Sequence, residues 1–419
     1  MCVFRLRPRF SVRERRGSAR TCTFALAASL LAALPACSDA GDHEIPSPLR
    51  FGVEELISDT PSDRCPSPSD GEAPAGDAIL RVSRVQCRPV AVHSVILAPS
   101  LTREWPDPAR WSTFAQDSRG RLYSGAGGNR LEGAVLVWAP DGSFAGSLGR
   151  PGQGPGEFPN ELLSLFTGTG DTLYVVSQGR LTVFDANQRF VRATAGPAVN
   201  PRLYFGATRM VAGNSFLSVG SVWGIHDADR RFHLAGPDGK HRRSFGAASA
   251  LTEVVDRHTP RVAYAGDSTF WTIGGAGGES AYVLEQWHLD GNLVRRLNRD
   301  AEWWEEQRRR MPGNEVRIMK LEVDPDGHIW LLLAIVPAAV ENARGASDTG
   351  VPTPSRLQLE VIAPSAATVV VSAELEWSQY EELPFRHFIA GTRRGARAVE
   401  DPHTGLVSIE VFDLYLARQ

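Results

Sequence analysis

Signatures of the common enzyme classes are absent from this sequence of 419 residues. It has no G-x-S-x-G nucleophile elbow, no serine or cysteine in a recognisable catalytic context, and no H-E-x-x-H zinc motif. The glycine-rich stretch 149–156 lacks both the G-x-G-x-x-G spacing and the Lys-Ser/Thr of a phosphate-binding loop. Its glycines are expected to permit positive φ in a tight connection instead. The sequence alone therefore names no reaction and predicts no bound cofactor.

Excess charge is also missing, because the formal net charge is only −3. A balance so close to neutral gives no reason to expect a nucleic-acid partner or an anionic lipid surface. The 40 glycines and 28 prolines are instead typical of many short strands joined by turns.

A membrane-spanning run is missing as well, since the apolar segment 24–33 is too short to cross a bilayer. It follows a basic region, residues 1–22, that holds seven arginines and one acid. It closes on the tetrapeptide L-P-A-C, which resembles a bacterial lipobox. We therefore predict a lipoprotein signal peptide over residues 1–36, with a diacylated Cys37 as the mature N-terminus. The alternative is an ordinary secretory signal cleaved near Ala36.

This signal predicts an extracytoplasmic protein, anchored to the bacterial cell envelope, that contacts the membrane only through its lipid. By analogy with enteric bacteria, Ser38 directly after Cys37 favours the outer membrane over the inner one. Residues 37–78 are rich in Ser, Pro, Asp and Gly and poor in large apolar side chains. We predict that they form a flexible tether, which holds the folded domain away from the membrane.

Cysteine is scarce beyond the predicted anchor, where only Cys65 and Cys87 remain. In an oxidising compartment two such residues are expected to form a disulfide, which would contribute on the order of 3 kcal/mol by closing a loop. The alternative is a pair of free thiols. A metal site would need neighbouring histidines, and none flanks either cysteine.

From residue 79 onward the chain repeats one pattern: an Asp/Gly/Asn turn, a strand, a loop, a second strand and another turn. Without insertions such as 301–311, the interval is about 40 residues, which is typical of a four-stranded propeller blade. A β-sandwich would not repeat this unit, and a solenoid would need a shorter, stricter period. The sequence predicts an all-β, six-bladed β-propeller over residues 79–419. One anchor residue marks each copy: Tyr123, Tyr174, Leu217, Trp271, Trp330 and Val399.

The two ends of this domain are expected to meet in one blade. The sixth copy stops after residues 412–416 without an outermost strand, and an orphan strand at 90–98 precedes the first copy. Pairing these strands would remove an exposed sheet edge and close the ring.

The repeat and the loop G-R-P-G-Q-G-P-G-E-F at 149–158 resemble bacterial NHL-type six-bladed β-propellers. The stretch D-P-D-G-H-I-W-L-L-L at 324–333 and the end of the chain resemble lipid-anchored propellers of environmental bacteria. The resemblance covers about residues 88–419 and implies a six-bladed propeller outside the cytoplasm. It implies no single activity, because related propellers bind proteins, RNA or glycans, and distant ones are lyases or lactonases.

We expect such a scaffold to be a monomeric binding or scaffolding platform for a protein or glycan of the cell envelope. Its contacts would come from loops at one mouth of the channel. The alternative is a metal-dependent enzyme of lyase or lactonase type, with a divalent metal in the central channel held by side chains from several copies. The scattered histidines and the turn Asp324-Pro-Asp326 provide no recognisable motif for that metal.

Trp303 and Trp304, beside Arg308, are the candidate surface site. An exposed aromatic pair next to a basic run could bind a sugar or an anionic partner. The alternative is a short helix that buries both tryptophans at a blade edge and leaves the arginines in solvent.

Overall fold

The structure is a computed structural model of the chain. It describes residues 49–50, 56–58, 65, 77–83, 87–97, 113–125, 134–158, 162–177, 180–195, 208–219, 230–247, 262–266, 268–274, 282–305, 315–336, 356–400, 403 and 407–418. These residues belong to one compact unit, Pro48–Gln419. The predicted signal peptide and Cys37 lie outside the described residues.

The described residues form 27 strands and a few short helical turns. The strands are β1 (Leu49–Arg50), β2 (Ile57–Ser58), β3 (Ala78–Val82), β4 (Cys87–Leu97), β5 (Phe114–Gln116), β6 (Leu122–Gly125), β7 (Val135–Trp138), β8 (Phe144–Leu148), β9 (Leu162–Thr167), β10 (Leu173–Ser177), β11 (Arg180–Phe184), β12 (Phe190–Ala195), β13 (Thr208–Val211), β14 (Ser215–Val219), β15 (Arg230–Ala235), β16 (His241–Ala247), β17 (Val262–Gly266), β18 (Thr269–Gly274), β19 (Tyr282–His288), β20 (Leu293–Arg299), β21 (Glu315–Val323), β22 (Ile329–Val336), β23 (Arg356–Ala363), β24 (Thr368–Glu376), β25 (His387–Ile389), β26 (Arg394–Glu400) and β27 (Val407–Arg418). The helical turns are Thr169–Asp171, Ala212–Asn214, Pro364–Ala366, Trp377–Glu382 and 302–305.

Most strands belong to antiparallel meanders that follow one another along the chain. Three four-stranded sheets contain β5–β8, β9–β12 and β13–β16. A ten-stranded sheet contains two further meanders, β17–β20 and β21–β24, together with β1 and β3. A five-stranded sheet has the order β2-β4-β27-β26-β25. The protein is therefore all-β with a propeller-like arrangement, in agreement with the repeat.

The described strands form five separate sheets, not six, because β3 joins two meanders. This strand pairs in parallel with β20 through Ala78↔Leu297 and with β24 through Arg81↔Thr368. Leu80 of β3 is 2% exposed and packs in the core cluster between the two meanders. The sequence did not predict β3, because the strand has neither a turn signal nor a place in the repeat.

The two ends of the domain meet as predicted. β4 pairs antiparallel with β27, from Cys87↔Arg418 to Leu97↔Ile409. The strand begins at Cys87, earlier than the sequence pattern indicated. This pairing covers the outer edge of β27 and closes the series of meanders on itself.

The described part of the predicted tether is not free of the domain. β1 pairs with β24, and β2 pairs with β4. Leu56 is 1% exposed in the core, and the backbone N–H of Cys65 donates to the carbonyl of Leu416 (2.9 Å). Paired strands thus occur before residue 79, where the sequence pattern placed the start of the domain. Composition missed these contacts because isolated apolar residues such as Leu56 are outnumbered by polar neighbours.

Five of the six predicted anchors are buried on the second strand of their meanders. Val399 is the exception, since it is half-buried while Ala396 of the same strand is 0% exposed. The small Ala396 carries no aromatic signal, so the alignment of the last copy was wrong by a few residues. The buried anchors, none more than 4% exposed, are Tyr123, Tyr174, Leu217, Trp271 and Trp330.

The glycine loop 149–158 has the structural role that was predicted for it. Gly149 has a φ of +74°, and a Cβ at this position would overlap the ring of Phe158. Phe158 is 1% exposed, and its ring lies 6.1 Å from that of Phe184. The loop therefore places an aromatic side chain between the first two sheets.

Antiparallel pairing sends alternate connections of a meander to opposite ends of its sheet. One end of each sheet, which we call the turn end, carries the turns between the first and second strands and between the third and fourth strands. In the first sheet these turns are 117–121 and 139–143. Connections between second and third strands, and from one meander to the next, leave from the other end, the loop end. The segment 377–386, between β24 and β25, belongs to the loop end.

Candidate functional site

A fully buried carboxylate, Glu360 of β23, joins the two meanders of the ten-stranded sheet. Arg299 of β20 donates through Nη2 to Oε1 (2.8 Å) and through Nε to Oε1 (3.2 Å) and Oε2 (3.1 Å). Tyr282 donates its hydroxyl to Oε2. Trp303 Nε1 (3.0 Å) and Ser372 Oγ (3.1 Å) donate to Oε1. Donors from the protein thus occupy both carboxylate oxygens.

Burial and charge act in opposite directions on this cluster. Burial raises the pKa of Glu360, but the charge of Arg299 and the hydrogen bonds outweigh it, so the pKa lies below its ordinary value. Burial lowers the pKa of Arg299, and Glu360 more than reverses this effect. Burial, followed by the Glu360 carboxylate, holds the pKa of Tyr282 well above its ordinary value. The result is a closed ion pair beside a neutral tyrosine, which suits a structural connection.

A second carboxylate, Glu285 of β19, has a similar role one meander earlier. Arg231 of β15 donates through Nη1 to Oε2 (3.0 Å), and Trp287 Nε1 donates to the same oxygen (3.1 Å). Arg296 Nε donates to Oε1 (3.1 Å). Burial lowers the pKa of Arg231, while Glu285 acts in the opposite direction. This cluster connects β13–β16 to the ten-stranded sheet.

An ion pair also links two inner strands, which border the centre of the arrangement. Arg209 of β13 donates through Nη2 to Glu322 Oε1 of β21 (2.6 Å). These strands are not neighbours, because β17 lies between them and contacts both. Their side chains are mostly buried, with 18% and 15% exposed. A metal ion could use Glu322 as a ligand only in competition with the guanidinium.

Asp324, Asp326 and His328 place three potential metal-ligand atoms within 4.8 Å of one another. Asp324 Oδ1 accepts the backbone N–H of both other residues (2.9 Å each), and its Oδ2 accepts Trp330 Nε1 (3.0 Å). Asp326 pairs with Arg393. Burial raises the pKa of Asp324, but His328 and Trp330 lower it more. The carboxylates are therefore already engaged within the protein.

The same aspartate contacts recur in the first sheet. Asp117 Oδ1 accepts the backbone N–H of Arg119 (3.1 Å) and of Arg121 (2.8 Å), and Oδ2 accepts the hydroxyl of Tyr123 (3.0 Å). Each aspartate thus closes a turn and fixes the anchor aromatic of its own meander. This recurrence identifies Asp324 as a repeated structural residue, and the acidic cluster around it as a turn.

A cleft at the turn end separates β21–β22 from β25–β26. Its volume is about 10 Å³, which is room for about one water molecule. Its polar walls include Glu322, Asp324 and Arg393. The cleft is too small for an organic substrate.

The structure agrees with some of the predictions about site residues and disagrees with others. Cys65 and Cys87 form the predicted disulfide, with Cα atoms 6.1 Å apart. Trp303 and Trp304 are only 6% and 8% exposed, so the hypothesis of an exposed aromatic pair is wrong and the alternative of a buried pair is right. Both pack between the meanders of the ten-stranded sheet. Arg308, like Cys37, lies outside the described residues.

A different aromatic pair remains partly exposed at the loop end. The rings of Trp377 and Tyr380 stack with centroids 5.0 Å apart and an interplanar angle of 7°. Sequence reasoning missed this pair. The available signal was the spacing W-x-x-Y after a strand, because one helical turn brings residues three apart to the same side.

None of the helices in the described part of the chain is long and apolar enough to cross a bilayer. No protein-family model and no curated protein matches this sequence.

Solved structures resemble the chain only at low identity. A protein from Bacteroides fragilis NCTC 9343 that is thought to be exported is 9% identical, with a TM-score of 0.49 over 81% of this chain and 99% of that one. A protein of unknown function from Bacteroides caccae is 13% identical, with a TM-score of 0.38 over 63% and 81% of the two chains. Hydrazine synthase from Kuenenia stuttgartiensis is 13% identical, with a TM-score of 0.38 over 74% and 76%. None of these similarities assigns an activity to this chain.

Proposed function

We propose that this protein is a lipid-anchored, extracytoplasmic, six-bladed β-propeller of NHL type. It serves as a monomeric binding or scaffolding platform for a protein or glycan of the cell envelope. The observation that carries the proposal is that Glu285, Glu322 and Glu360 each pair with an arginine of another meander. Ion pairs of this kind hold the meanders of the ring rigidly together, so a partner would be bound by residues on the surface of the ring.

The proposed number of blades is supported by the strand order. β17–β20 and β21–β24 each run from first to fourth strand without interruption, and they share only β3. If these two meanders count as two blades, the three four-stranded sheets as three, and the sheet that pairs β4 with β27 as one, the total is six.

The proposed anchor is supported by the order of a basic region, an apolar run and Cys37. In the part of the chain that the structure describes, pairing begins at Leu49–Arg50, and we propose that the preceding residues after Cys37 act as the spacer. Cys37→Ser should move the protein from the membrane pellet to the soluble envelope fraction. Density-gradient separation of wild-type membranes should place it with the outer membrane. Retention of Cys37→Ser in the pellet would contradict the lipid anchor.

A metal-dependent enzyme of lyase or lactonase type remains the second candidate, because Asp324, Asp326 and His328 lie within 4.8 Å of one another. Elemental analysis and thermal melts with EDTA, on the protein from residue 38 onward, separate the two functions. We expect no stoichiometric calcium or zinc and no effect of EDTA. Bound metal and an EDTA-lowered melt, both lost in Asp326→Asn, would favour the enzyme.

The platform itself is tested by measuring binding to separated protein and glycan fractions of the envelope. We expect saturable binding to one fraction and not to the other. Binding that fails to saturate on either fraction would overturn the platform.

A further inference from the structure

The stacked pair Trp377–Tyr380 lies on a helical turn, Trp377–Glu382, between β24 and β25 at the loop end. Both rings pack against the core but stay partly exposed. Other aromatic side chains of the described chain, such as Phe144, Trp287 and Tyr415, are exposed to a similar degree, but the rings of Trp377 and Tyr380 are stacked nearly parallel. This turn therefore presents a paired aromatic surface on the face where connections between meanders lie.

The stack is supported from below by a buried cation. The guanidinium carbon of Arg386 lies 5.3 Å from the Tyr380 ring centroid, and Arg386 is only 8% exposed. Tyr380 thus contacts both a buried guanidinium and the indole of Trp377. Tyr380 covers one face of the indole, and the part of Trp377 that remains exposed is the surface that a ligand can contact.

The turn that carries the stack is held in place at both ends. Glu376 and Gln379 form a reciprocal capping box at its start. At its end, Arg397 Nη1 donates to the carbonyl of Glu382 (2.8 Å). A surface fixed in this way loses little conformational entropy when it binds a ligand.

The exposed polar side chains of this turn include two carboxylates and a hydroxyl. Glu376, at the N-cap of the turn, and Ser378 and Glu382, on the turn itself, are exposed. The two carboxylates repel anionic ligands, whereas sugar hydroxyls can donate hydrogen bonds to them. The C–H groups on one face of a pyranose ring carry weak positive charge and stack on the negative face of an indole.

We propose that Trp377, supported by Tyr380 and Arg386, is a stacking platform for a neutral pyranose ring of a glycan. The inference rests on the proposed binding function and names its ligand class. Glu376 and Ser378 are the positions from which hydrogen bonds to the ring hydroxyls are made. A negatively charged glycan is excluded by the two carboxylates.

The test measures the affinity of the mature protein for three glycans by calorimetry: cellohexaose and chitohexaose, which are neutral, and an anionic oligogalacturonate. We expect saturable binding of at least one neutral hexamer and none of the oligogalacturonate. Trp377→Ala should weaken that binding about tenfold or more, the equivalent of about 1.4 kcal/mol. The matched control, Phe190→Ala, removes a partly exposed aromatic ring elsewhere and should leave the affinity unchanged.

Trp377→Phe keeps a smaller ring on the Tyr380 support and is the variant to use if Trp377→Ala lowers the melting temperature. We expect it to weaken binding less than Trp377→Ala does. Absence of binding to both neutral hexamers, or binding unaffected by either Trp377 variant, overturns the stacking platform. The proposed function survives these results if the wild-type protein still binds an envelope fraction saturably, and it fails with them if no fraction is bound.

Discussion

The first two sheets, β5–β12, and the ten-stranded sheet carry different side chains at one equivalent position of the third strand. The side chain is uncharged in the first two sheets and is a carboxylate in the ten-stranded sheet. In each meander, the residue after the anchor is paired in register with a residue of the third strand. That partner is Leu136 in the first sheet and Thr182 in the second. It is Glu285 and Glu360 in the two meanders of the ten-stranded sheet.

The neighbours of these residues differ accordingly. Leu136 packs with Ile409 and Val411 in an apolar cluster. Glu360 instead binds Arg299 across the interface. Apolar contacts have no preferred direction and tolerate replacement by groups of similar size. A buried charge requires its partner, so an ionic interface specifies its neighbour but tolerates few substitutions.

The largest predicted effect comes from the ionic interface. Glu360→Gln leaves the Arg299 guanidinium buried without a counter-charge, and we expect a loss of about 3–5 kcal/mol in the free energy of unfolding. Chemical denaturation measures it. The control, Glu374→Gln, breaks a partly exposed pair with Arg356 and should cost less than about 1 kcal/mol. Equal losses in the two variants would remove the distinction between buried and exposed pairs.

The next effect concerns the N-terminal segment, which contacts the ten-stranded sheet and the closing sheet. Replacing both Cys65 and Cys87 by serine removes a cross-link between residues 22 apart in sequence and should lower stability by about 3 kcal/mol. The thermal melt of the wild type should fall to that of the variant when dithiothreitol is added. A melt that reductant lowers equally in the variant would show that the disulfide is not the cause.

A smaller effect is expected at the apolar interface of the first two sheets. Phe158→Leu keeps most of the apolar volume between Val137 and Phe184, so the loss should be about 1 kcal/mol. Phe190→Leu, at a ring that is 38% exposed, is the control and should change stability by less than about 0.5 kcal/mol. If Phe158→Leu is as damaging as Glu360→Gln, the two interfaces do not differ in tolerance.

The smallest effect is a pH dependence from His387 of β25. Burial, together with the charges of Lys320 and Arg386, holds the pKa of this histidine well below its ordinary value. Below a pH of about 6.5 the unfolded chain binds a proton there that the folded chain does not. Stability should therefore fall as the pH drops through that value and continue to fall until the folded pKa is reached.

Denaturation curves of His387→Phe across this pH range should lack that component of the slope. Replacing the exposed His241 should leave the His387 component in place. A slope that is unchanged in His387→Phe would assign the pH dependence to other groups.

The sequence predicted those features of the fold that depend on neighbouring residues. The turn of Asp, Gly or Asn that precedes each strand pair and the buried anchors Tyr123 and Trp330 were predicted from local spacing. The prediction of Val399 as an anchor was wrong because Ala396, a buried residue of that strand, has no distinctive side chain. The exposure of Trp303 and Trp304 could not be predicted, because an apolar pair on one helical turn can face either solvent or the core. Only the packing of the surrounding strands decides between the two.

By itself, the sequence determined the strand period, the turn chemistry, the closing strand and the pairing of two isolated cysteines. These follow from side chains a few residues apart and from the count of cysteines. Only the tertiary structure decided that β3 joins two meanders, that Arg299 neutralises Glu360 across 61 positions of sequence, and that Trp377 rather than Trp303 stays accessible. Contacts between distant segments depend on how whole sheets pack against one another, and the local preferences of residues a few positions apart do not determine that packing.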